Sequence, residues 1–150
     1  MNAIDHLLAV MDEAFDPHWR EAWTRKQVED SLDLPTTYFL LANHDGDEPT
    51  CGDSVAGFVL ARRVLDEEEL LLIGVKPEAR QKGIGNKLMR RFLRTAYRNG
   101  ARKVFLEMRD RNEAENLYRG CGFEPIGRRK AYYRTATGEM LDAITFGREL

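Results

Sequence analysis

A glycine-rich turn near the middle of the chain combines residue types that could bind a negatively charged ligand. The residues Arg80 to Gly85 read RQKGIG and stand between a short apolar run and a segment with helical periodicity. Gly83 and Gly85 would let the backbone approach a ligand closely. The unpaired N–H groups and the dipole of the following helix favour negative charge at its first turn, which suits a pyrophosphate. Lys82 and Lys87 could add charge for a further phosphate.

Two other phosphate-binding motifs do not fit this turn. The chain has no G-x-x-x-x-G-K-[ST] sequence, which excludes a P-loop, and Leu88 occupies the third glycine position of the dinucleotide-binding motif G-x-G-x-x-G. The remaining pattern, R-x-x-G-x-G, also suits a tight strand-to-helix turn with an exposed arginine. The turn by itself therefore leaves both interpretations open.

Charge is unevenly distributed around the same turn. The formal net charge is −2, but the segment from Lys76 to Lys103 holds ten basic residues and one acidic residue, so it carries +9 and the rest of the chain −11. Such a local excess favours a local anionic ligand over nucleic-acid binding by the whole chain. A solvated helix face is the alternative interpretation.

The composition predicts a single soluble domain over residues 1–150. Hydrophobic residues make up 43% and charged residues 32% of the chain, and no apolar run approaches the roughly 20 residues of a membrane span. The N-terminal segment lacks the pattern of a signal peptide. We therefore expect a cytoplasmic protein that does not bind membranes. No metal site is expected, because ligand spacing is absent around His6, His18, His44, Cys51 and Cys121.

Hydrophobic periodicity and turn residues predict both helices and strands. Helices are expected at residues 3–15, 24–33, 83–98 and 114–120, and strands at 37–42, 55–60, 69–75, 103–108, 123–128 and 142–148. This order predicts an α/β (α+β) domain with a mixed sheet, in which the apolar run 69–75 is a fully buried central strand. The apolar face of the third helix comprises Leu88, Met89, Phe92, Leu93, Ala96 and Tyr97.

Two groups of motifs together resemble the GNAT superfamily of N-acetyltransferases. Ile73-Gly74-Val75, followed by the turn from Arg80 to Gly85, is similar to the acetyl-CoA motif of that family. A second, independent signal comprises Asn112, Leu117, Tyr118, Gly122 and Phe123. The segment from Ile126 to Leu150 is similar to the ribosomal-protein-alanine N-acetyltransferase branch. The resemblance is strong from about residue 71 onward and weaker before it.

The resemblance implies a mostly antiparallel central sheet that is flanked by helices and splayed where acetyl-CoA binds. A bulge at Ile73–Val75 would separate two strands there, and one backbone N–H, such as that of Val75, would polarise the thioester oxygen. The acetyl-CoA-binding residues implied by the family motif are Ile73, Gly74, Val75, Arg80, Gln81, Lys82, Gly83, Ile84, Gly85, Asn86 and Asn112.

Two features depart from the family pattern. The chain begins with a predicted helix, where family members usually begin with a strand. Six positions separate Asn112 from Tyr118, where the family usually has seven. The shorter spacing leaves the contact of Asn112 with the cofactor open.

The resemblance also implies two catalytic roles. Glu107 is the candidate base that takes a proton from the amine, directly or through a water, and Tyr118 is the candidate acid that protonates the departing thiolate. From position alone, Glu107 would more readily be an outward-facing strand residue paired with an arginine, and Tyr118 a core aromatic. Direct transfer is favoured over an acyl intermediate on Cys51 or Cys121.

The implied activity is acetyl transfer from acetyl-CoA to the N-terminal α-amine of a protein or peptide that begins with a small residue, with a ribosomal protein as the candidate partner. An α-amine, with a pKa of about 7.7–8.0, is neutral at pH 7 far more often than a lysine side chain near 10.4. Tyr132 and Tyr133 could line the acceptor slot.

Three alternatives to this function remain open. They are a small-molecule amine acetyltransferase, a non-catalytic acyl-CoA sensor, and a protein whose basic helix binds RNA. The presence of both Glu107 and Tyr118 argues against the sensor, since a binding protein needs neither. The absence of interleaved exposed aromatic residues weakens the RNA alternative, so direct nucleic-acid binding is not expected.

Overall fold

Six strands form one continuous sheet. The computed structural model describes residues 2–150. Its helices are α1 (Ala3–Ala14), α2 (Arg25–Leu32), α3 (Ile84–Arg98) and α4 (Glu115–Gly120), and its strands are β1 (Thr37–Ala42), β2 (Gly57–Val64), β3 (Glu67–Val75), β4 (Lys103–Arg109), β5 (Glu124–Arg134) and β6 (Met140–Glu149). The strand order is β1-β2-β3-β4-β6-β5, and every neighbouring pair is antiparallel except β3 and β4. The predicted mixed, mostly antiparallel sheet is confirmed, and the first element described is a helix.

The sheet carries a hydrophobic core on each face, because successive residues of a strand point in opposite directions. On one face, Phe58 and Leu60 of β2 pack with α1 and α2. On the other face, Val59 and Ala61 pack beneath α3, which turns Phe92 and its apolar neighbours toward them. None of the helices within residues 2–150 has the length and apolar character needed to span a membrane.

The strands β3 and β4 pair over only part of their length. Their parallel pairing runs from Glu67 and Lys103 to Leu70 and Leu106, and the two strands diverge beyond it. Just past that point, Leu71 has no partner on β2, because its two neighbours in β3 pair with consecutive residues of β2. The expected splay is therefore confirmed, but the bulge lies before Ile73–Val75 rather than within it.

Gly74 is required by close packing and not by the bulge. A Cβ at this position would lie 2.8 Å from Cε1 of Phe58 and 3.3 Å from the Cβ of Ala14. Only a glycine allows the Phe58 ring and α1 to approach the strand this closely. The end of β3 is thereby fixed against α1 at the edge of the splay.

Other predictions are corrected by the structure. Strand β2 begins at Gly57 rather than Val55, and it passes into β3 through a two-residue connection in which Leu65 has a left-handed backbone. Strand β3 is not fully buried, since buried and half-buried residues alternate along most of it. Tyr97 is 69% exposed, because it is turned about 100° around α3 from the buried Ala96. The last two strands are longer than predicted, at 124–134 and 140–149.

A buried carboxylate joins β1, β3 and the end of α3. Glu68 is fully buried and accepts hydrogen bonds from the Tyr38 hydroxyl and, at 3.1 Å, from the side-chain amide of Asn99. The next residue, Glu69, alternates to the opposite face and pairs with Arg62 at 2.7 Å. Glu68 and Glu69 thus belong to the strand and support the fold.

Replacing Glu68 with alanine is expected to destabilise the protein by about 1–3 kcal/mol, because the Tyr38 hydroxyl then loses its buried acceptor. The matched change Glu69→Ala removes a partly exposed ion pair and should cost no more than about 1 kcal/mol. Urea unfolding of both variants measures the difference. Equal losses of stability would contradict the structural role of Glu68.

Candidate active site

A cleft of about 650 Å³ opens where β3 and β4 diverge. Its walls come from β3, the turn before α3, the start of α4 and the segment between α1 and α2. The sequence-predicted site residues that line it are Ile73, Gly74, Val75, Arg80, Gln81, Gly83, Ile84, Gly85, Asn86, Asn112 and Tyr118. Lys82 and Glu107 lie outside the lining. The structure therefore brings most of the predicted site residues together around one space.

The turn before α3 presents backbone donors to the cleft. Gln81 and Gly83 have left-handed backbone conformations, with φ of 63° and 80°. Gly83 is the N-cap of α3, and no side chain caps the helix, so the N–H groups of the first turn are available to a ligand. A Cβ on Gly83 would meet no atom within 4 Å, so the backbone conformation is what favours glycine here. The turn is therefore suited to an anion.

Two basic side chains near this turn are engaged within the protein. The Arg80 guanidinium donates to the backbone carbonyls of Val75 at 3.1 Å and Ala14 at 2.6 Å. Lys87 donates to the carbonyl of Asp45 at 2.7 Å. Arg80 thus ties the end of α1 to the end of β3. Lys87 is held toward the loop after β1, which counts against the expectation that it adds charge for a phosphate.

At Val75, the backbone N–H of β3 faces the cleft. The N–H of Lys76 donates to the carbonyl of Ala56 at 2.8 Å, on the edge of the chain that faces β2. Because successive residues of a strand point to opposite edges, the N–H and carbonyl of Val75 face the edge from which β4 has diverged. The Val75 carbonyl accepts the hydrogen bond from Arg80 there. The Val75 N–H points to the same edge.

Tyr118 combines a core position with contact to the cleft. Its ring packs near those of Phe123 and Phe146, and only 7% of the residue is exposed. Burial, and after it the negative charge of Glu21, raises the pKa of Tyr118 well above that of a free phenol. The hydroxyl therefore holds its proton at neutral pH.

Glu107 lies beside the cleft and not in its wall. Arg129 of β5 binds both carboxylate oxygens, with Nη2 2.7 Å from Oε1 and 2.6 Å from Oε2. The Arg129 guanidinium also stacks on Tyr132, 3.8 Å from the ring centre. The arginine-paired arrangement considered from the sequence is present. Burial, and then the charges of Glu107 and Glu21, raise the pKa of Tyr133 to about 12, so this phenol lies within electrostatic reach of both carboxylates.

Among the residues of the cleft wall that sequence reasoning missed are Trp19, Glu21 and Arg109. The Arg109 guanidinium lies 3.7 Å from the centre of the Trp19 ring, and its Nε is 3.1 Å from Oε1 of Glu21. Trp19 and Glu21 lie in the irregular segment between α1 and α2, where periodicity carries no information. A lone acid in such a segment gives no recognisable signal.

Asn112 is engaged at both ends of its side chain. Its Nδ2 lies 3.4 Å from Oε2 of Glu21, and its Oδ1 accepts the backbone N–H of Ala114 at 2.9 Å. The residue lines the cleft, but its amide supports Glu21 and the start of α4. A contact between Asn112 and the cofactor stays a prediction.

Neither cysteine has the features of an activated nucleophile. Burial raises the pKa of the Cys121 thiol, which lowers its thiolate fraction at neutral pH. Cys51 is exposed in the connection between β1 and β2, and neither residue lines the cleft. Among residues 2–150, no group of three or more His, Cys, Asp and Glu side chains is placed to hold a metal ion.

An open sheet that splays beside a turn with uncapped backbone N–H groups, with a protonated tyrosine in the resulting cleft, is compatible with an acyltransferase that uses a phosphate-bearing donor. Residues 8–123 match the Acetyltransferase (GNAT) family, and the chain belongs to this family. It is therefore an N-acetyltransferase, and the resemblance inferred from the sequence is confirmed.

Relatives and solved structures agree with this assignment. A candidate ribosomal protein bS18-alanine N-acetyltransferase of Bacillus subtilis (strain 168) is 30% identical over 137 residues, which cover 91% of this chain and 83% of the relative. The crystal structure of the ribosomal-protein-S18-alanine N-acetyltransferase from Escherichia coli superposes with a TM-score of 0.82 at 23% identity, covering 99% of this chain and 90% of that one.

A further solved structure includes the donor. A GNAT superfamily phosphinothricin acetyltransferase from Sinorhizobium meliloti, in complex with acetyl-CoA, has a TM-score of 0.60 at 26% identity and covers 69% of this chain and 58% of that one. A structural neighbour within the same superfamily thus binds acetyl-CoA.

The change Gly83→Val is expected to weaken acetyl-CoA binding about tenfold or more, because a branched side chain strains the left-handed backbone and obstructs the donors of α3. The matched control is Gly100→Val, just beyond the other end of α3, where φ is also positive at 88° and a Cβ would meet no atom within 4 Å. Both variants should lose similar stability. Calorimetric titration with acetyl-CoA separates them, and equal affinities would contradict a phosphate site at the turn.

Proposed function

We propose that this enzyme transfers an acetyl group from acetyl-CoA to the N-terminal α-amine of a protein or peptide that begins with a small residue such as alanine. The observation that carries the proposal is the convergence of three groups in one cleft: the donors of the α3 turn, the outward backbone edge of Val75 and the protonated hydroxyl of Tyr118. The names of the Bacillus subtilis and Escherichia coli proteins support an alanine of a ribosomal protein as acceptor. A cytoplasmic location stays a prediction from composition.

The proposed donor site follows the cleft wall from α3 to β3. The N–H groups of Ile84, Gly85 and Asn86 would bind the pyrophosphate of acetyl-CoA, and the pantetheine arm would lie along the edge of Ile73–Val75. A Cβ on Gly85 would be 3.4 Å from Leu117 of α4, so α4 closes this part of the cleft tightly. The pyrophosphate would thus lie at the first turn of α3, and the thioester would lie near Tyr118.

The proposed chemistry is direct transfer. The neutral amine nitrogen attacks the thioester carbon, and the Val75 N–H binds the carbonyl oxygen as negative charge develops on it. The carbon–sulfur bond then breaks, and Tyr118 gives its proton to the departing thiolate. Glu107 takes the proton from the amine through a water, because it lies outside the cleft wall. The raised pKa of Cys121 agrees with a route that has no acyl-enzyme.

Acetyl transfer to a panel of acceptors tests the proposed substrate class. The panel contains peptides that begin with Ala, Ser or Met, an N-terminally blocked lysine peptide and several polyamines, with CoA release as the readout. Turnover is expected with the Ala- and Ser-starting peptides and not with the blocked peptide, because an α-amine is neutral far more often at pH 7 than a lysine side chain. Turnover with polyamines alone would assign the enzyme to small-molecule amines and overturn the proposal.

The change Glu107→Gln is expected to lower kcat about 10²–10⁴-fold, because the amide cannot accept the proton of the amine. The affinity for acetyl-CoA should stay the same, since Glu107 lies outside the cleft wall. Steady-state kinetics and calorimetry measure both quantities. The matched control is Glu124→Gln, an exposed acid near the start of β5. A kcat within about threefold of the native value would contradict the role of Glu107 as the base and would assign it only a structural ion pair with Arg129.

A further inference from the structure

A second groove, of about 720 Å³, lies along the exposed face of α3. Its walls come from α3, the loop after β1 and the end of β6, and it shares no lining residue with the cleft. More than half of the residues that line it are basic, and the proposed chemistry uses none of them. They are Lys87, Arg90, Arg91, Arg94, Arg98 and Arg148. The groove is therefore a concave, positively charged surface that is separate from the proposed donor site.

Some of these basic side chains are already bound within the protein. Arg91 and Arg148 donate to backbone carbonyls at 2.9 and 3.0 Å. Lys87 lies 3.6 Å from Asp47, which is the acidic residue in the lining. These contacts fix the walls of the groove and offset the charge of the acid. The remaining arginines determine what the groove can attract.

Arg90, Arg94 and Arg98, which we call the arginine row, are exposed and have no ion-pair partner among residues 2–150. Because they recur every four residues, their side chains share one face of α3 and extend over about 12 Å of its axis. Like charges at this spacing repel each other. A ligand that carries negative charges at intervals along a line would relieve this repulsion.

Tyr97 adds an aromatic ring to the arginine row. The residue is 69% exposed and lines the same groove. Around the axis of α3 it lies within about 60° of both Arg90 and Arg94. The sequence analysis expected no exposed aromatic residue among the basic ones, and that expectation is wrong at Tyr97. A basic groove with an exposed ring on which a base can stack is the recognition mode of single-stranded nucleic acid.

We propose that this groove binds single-stranded RNA, with phosphates on the arginine row and one base stacked on Tyr97. At about 3.4 Å per nucleotide of a stacked strand, a row of about 12 Å spans about four nucleotides. A duplex keeps its bases paired and offers none to the ring, and an acidic peptide supplies charge without a base. The choice of RNA over DNA rests on the proposed function, because a ribosomal protein assembles with RNA. Such a contact would hold the enzyme beside its acceptor.

Fluorescence anisotropy tests the proposal with a labelled oligouridylate of about ten nucleotides. The enzyme is saturated with acetyl-CoA, so that the proposed pyrophosphate site is filled. The native chain is expected to bind the RNA with a salt dependence of about 0.7 logarithmic units per phosphate contact, or about 2 in total. Arg94→Gln should weaken binding about three- to fivefold at about 0.1 M salt and lower the slope by about 0.7.

A second pair of variants separates stacking from charge. Tyr97→Ala should weaken RNA binding about fivefold or more and leave the salt slope unchanged, whereas Tyr97→Phe keeps a ring and should bind like the native chain. The matched control is Lys26→Gln, which removes a charge that is 84% exposed on α2, on the other face of the sheet. It should change neither the affinity nor the slope. Acetyl-CoA affinity and the unfolding midpoint should stay native in every variant.

The proposal is overturned if the native chain does not bind the RNA, or if Arg94→Gln and Tyr97→Ala bind it as the native chain does. Tighter binding of a DNA strand of matching length would also overturn it. Displacement of the RNA by an equal charge of polyglutamate, with no effect of Tyr97→Ala, would assign the groove to an acidic protein instead. Failure of the proposed function has another signature, since the enzyme would then bind RNA but acetylate no free-amine peptide of the acceptor panel.

Discussion

The divergence of β3 from β4 is the constraint on which the site depends. A parallel pair that continued past Leu70 and Leu106 would satisfy its backbone groups within the sheet and leave no room for a ligand. Because the pairing stops there, the Val75 edge opens to the cleft and the strand ends spread around it. The unpaired Leu71 in β3, the close packing of Gly74 on Phe58 and the tie from Arg80 then hold β3 in its diverging course.

The guanidinium groups of Arg80 and Arg109 each join two segments that form the wall of the cleft. Arg80 joins the last turn of α1 to the end of β3 through two backbone carbonyls. Arg109, stacked on Trp19, holds Glu21 on the other side. Both arginines therefore act mainly on the protein itself, although the motif suggested a direct ligand contact for Arg80. The proposed phosphate site therefore rests on backbone N–H groups more than on basic side chains.

Much of this architecture could be predicted from the sequence because it has a local cause. The apolar stripe of α3, the glycines of its first turn and the order of helices and strands all follow from periodicity and turn chemistry. The apolar face predicted for α3 is wrong at Tyr97, which is exposed. Spacing alone does not show where the buried face of a helix ends. The buried role of Glu68 could not be predicted, since no local rule shows that Tyr38 and Asn99 will meet it inside the protein.

The parts that escaped prediction depend on contacts between distant segments. Glu21 reaches Arg109 and Asn112 across about ninety residues of chain, from a segment with no periodic pattern. The position of the bulge follows from how β3 registers on β2, which motif spacing does not reveal. Family resemblance pointed to Glu107 and Tyr118. The structure adds that Arg129 binds the carboxylate of Glu107 and that the Tyr118 ring is buried.

The outward edge of Val75 also bears on how such an enzyme can change over time. The hydrogen-bond donor there is a peptide N–H, which every residue except proline supplies. Natural selection therefore constrains the backbone path at this position more than the identity of the residue. Side chains along β3 can then change during evolution while the proposed backbone partner of the thioester oxygen stays in place. A protein of this kind can differ widely in sequence from its relatives and still keep the same backbone contribution to the reaction.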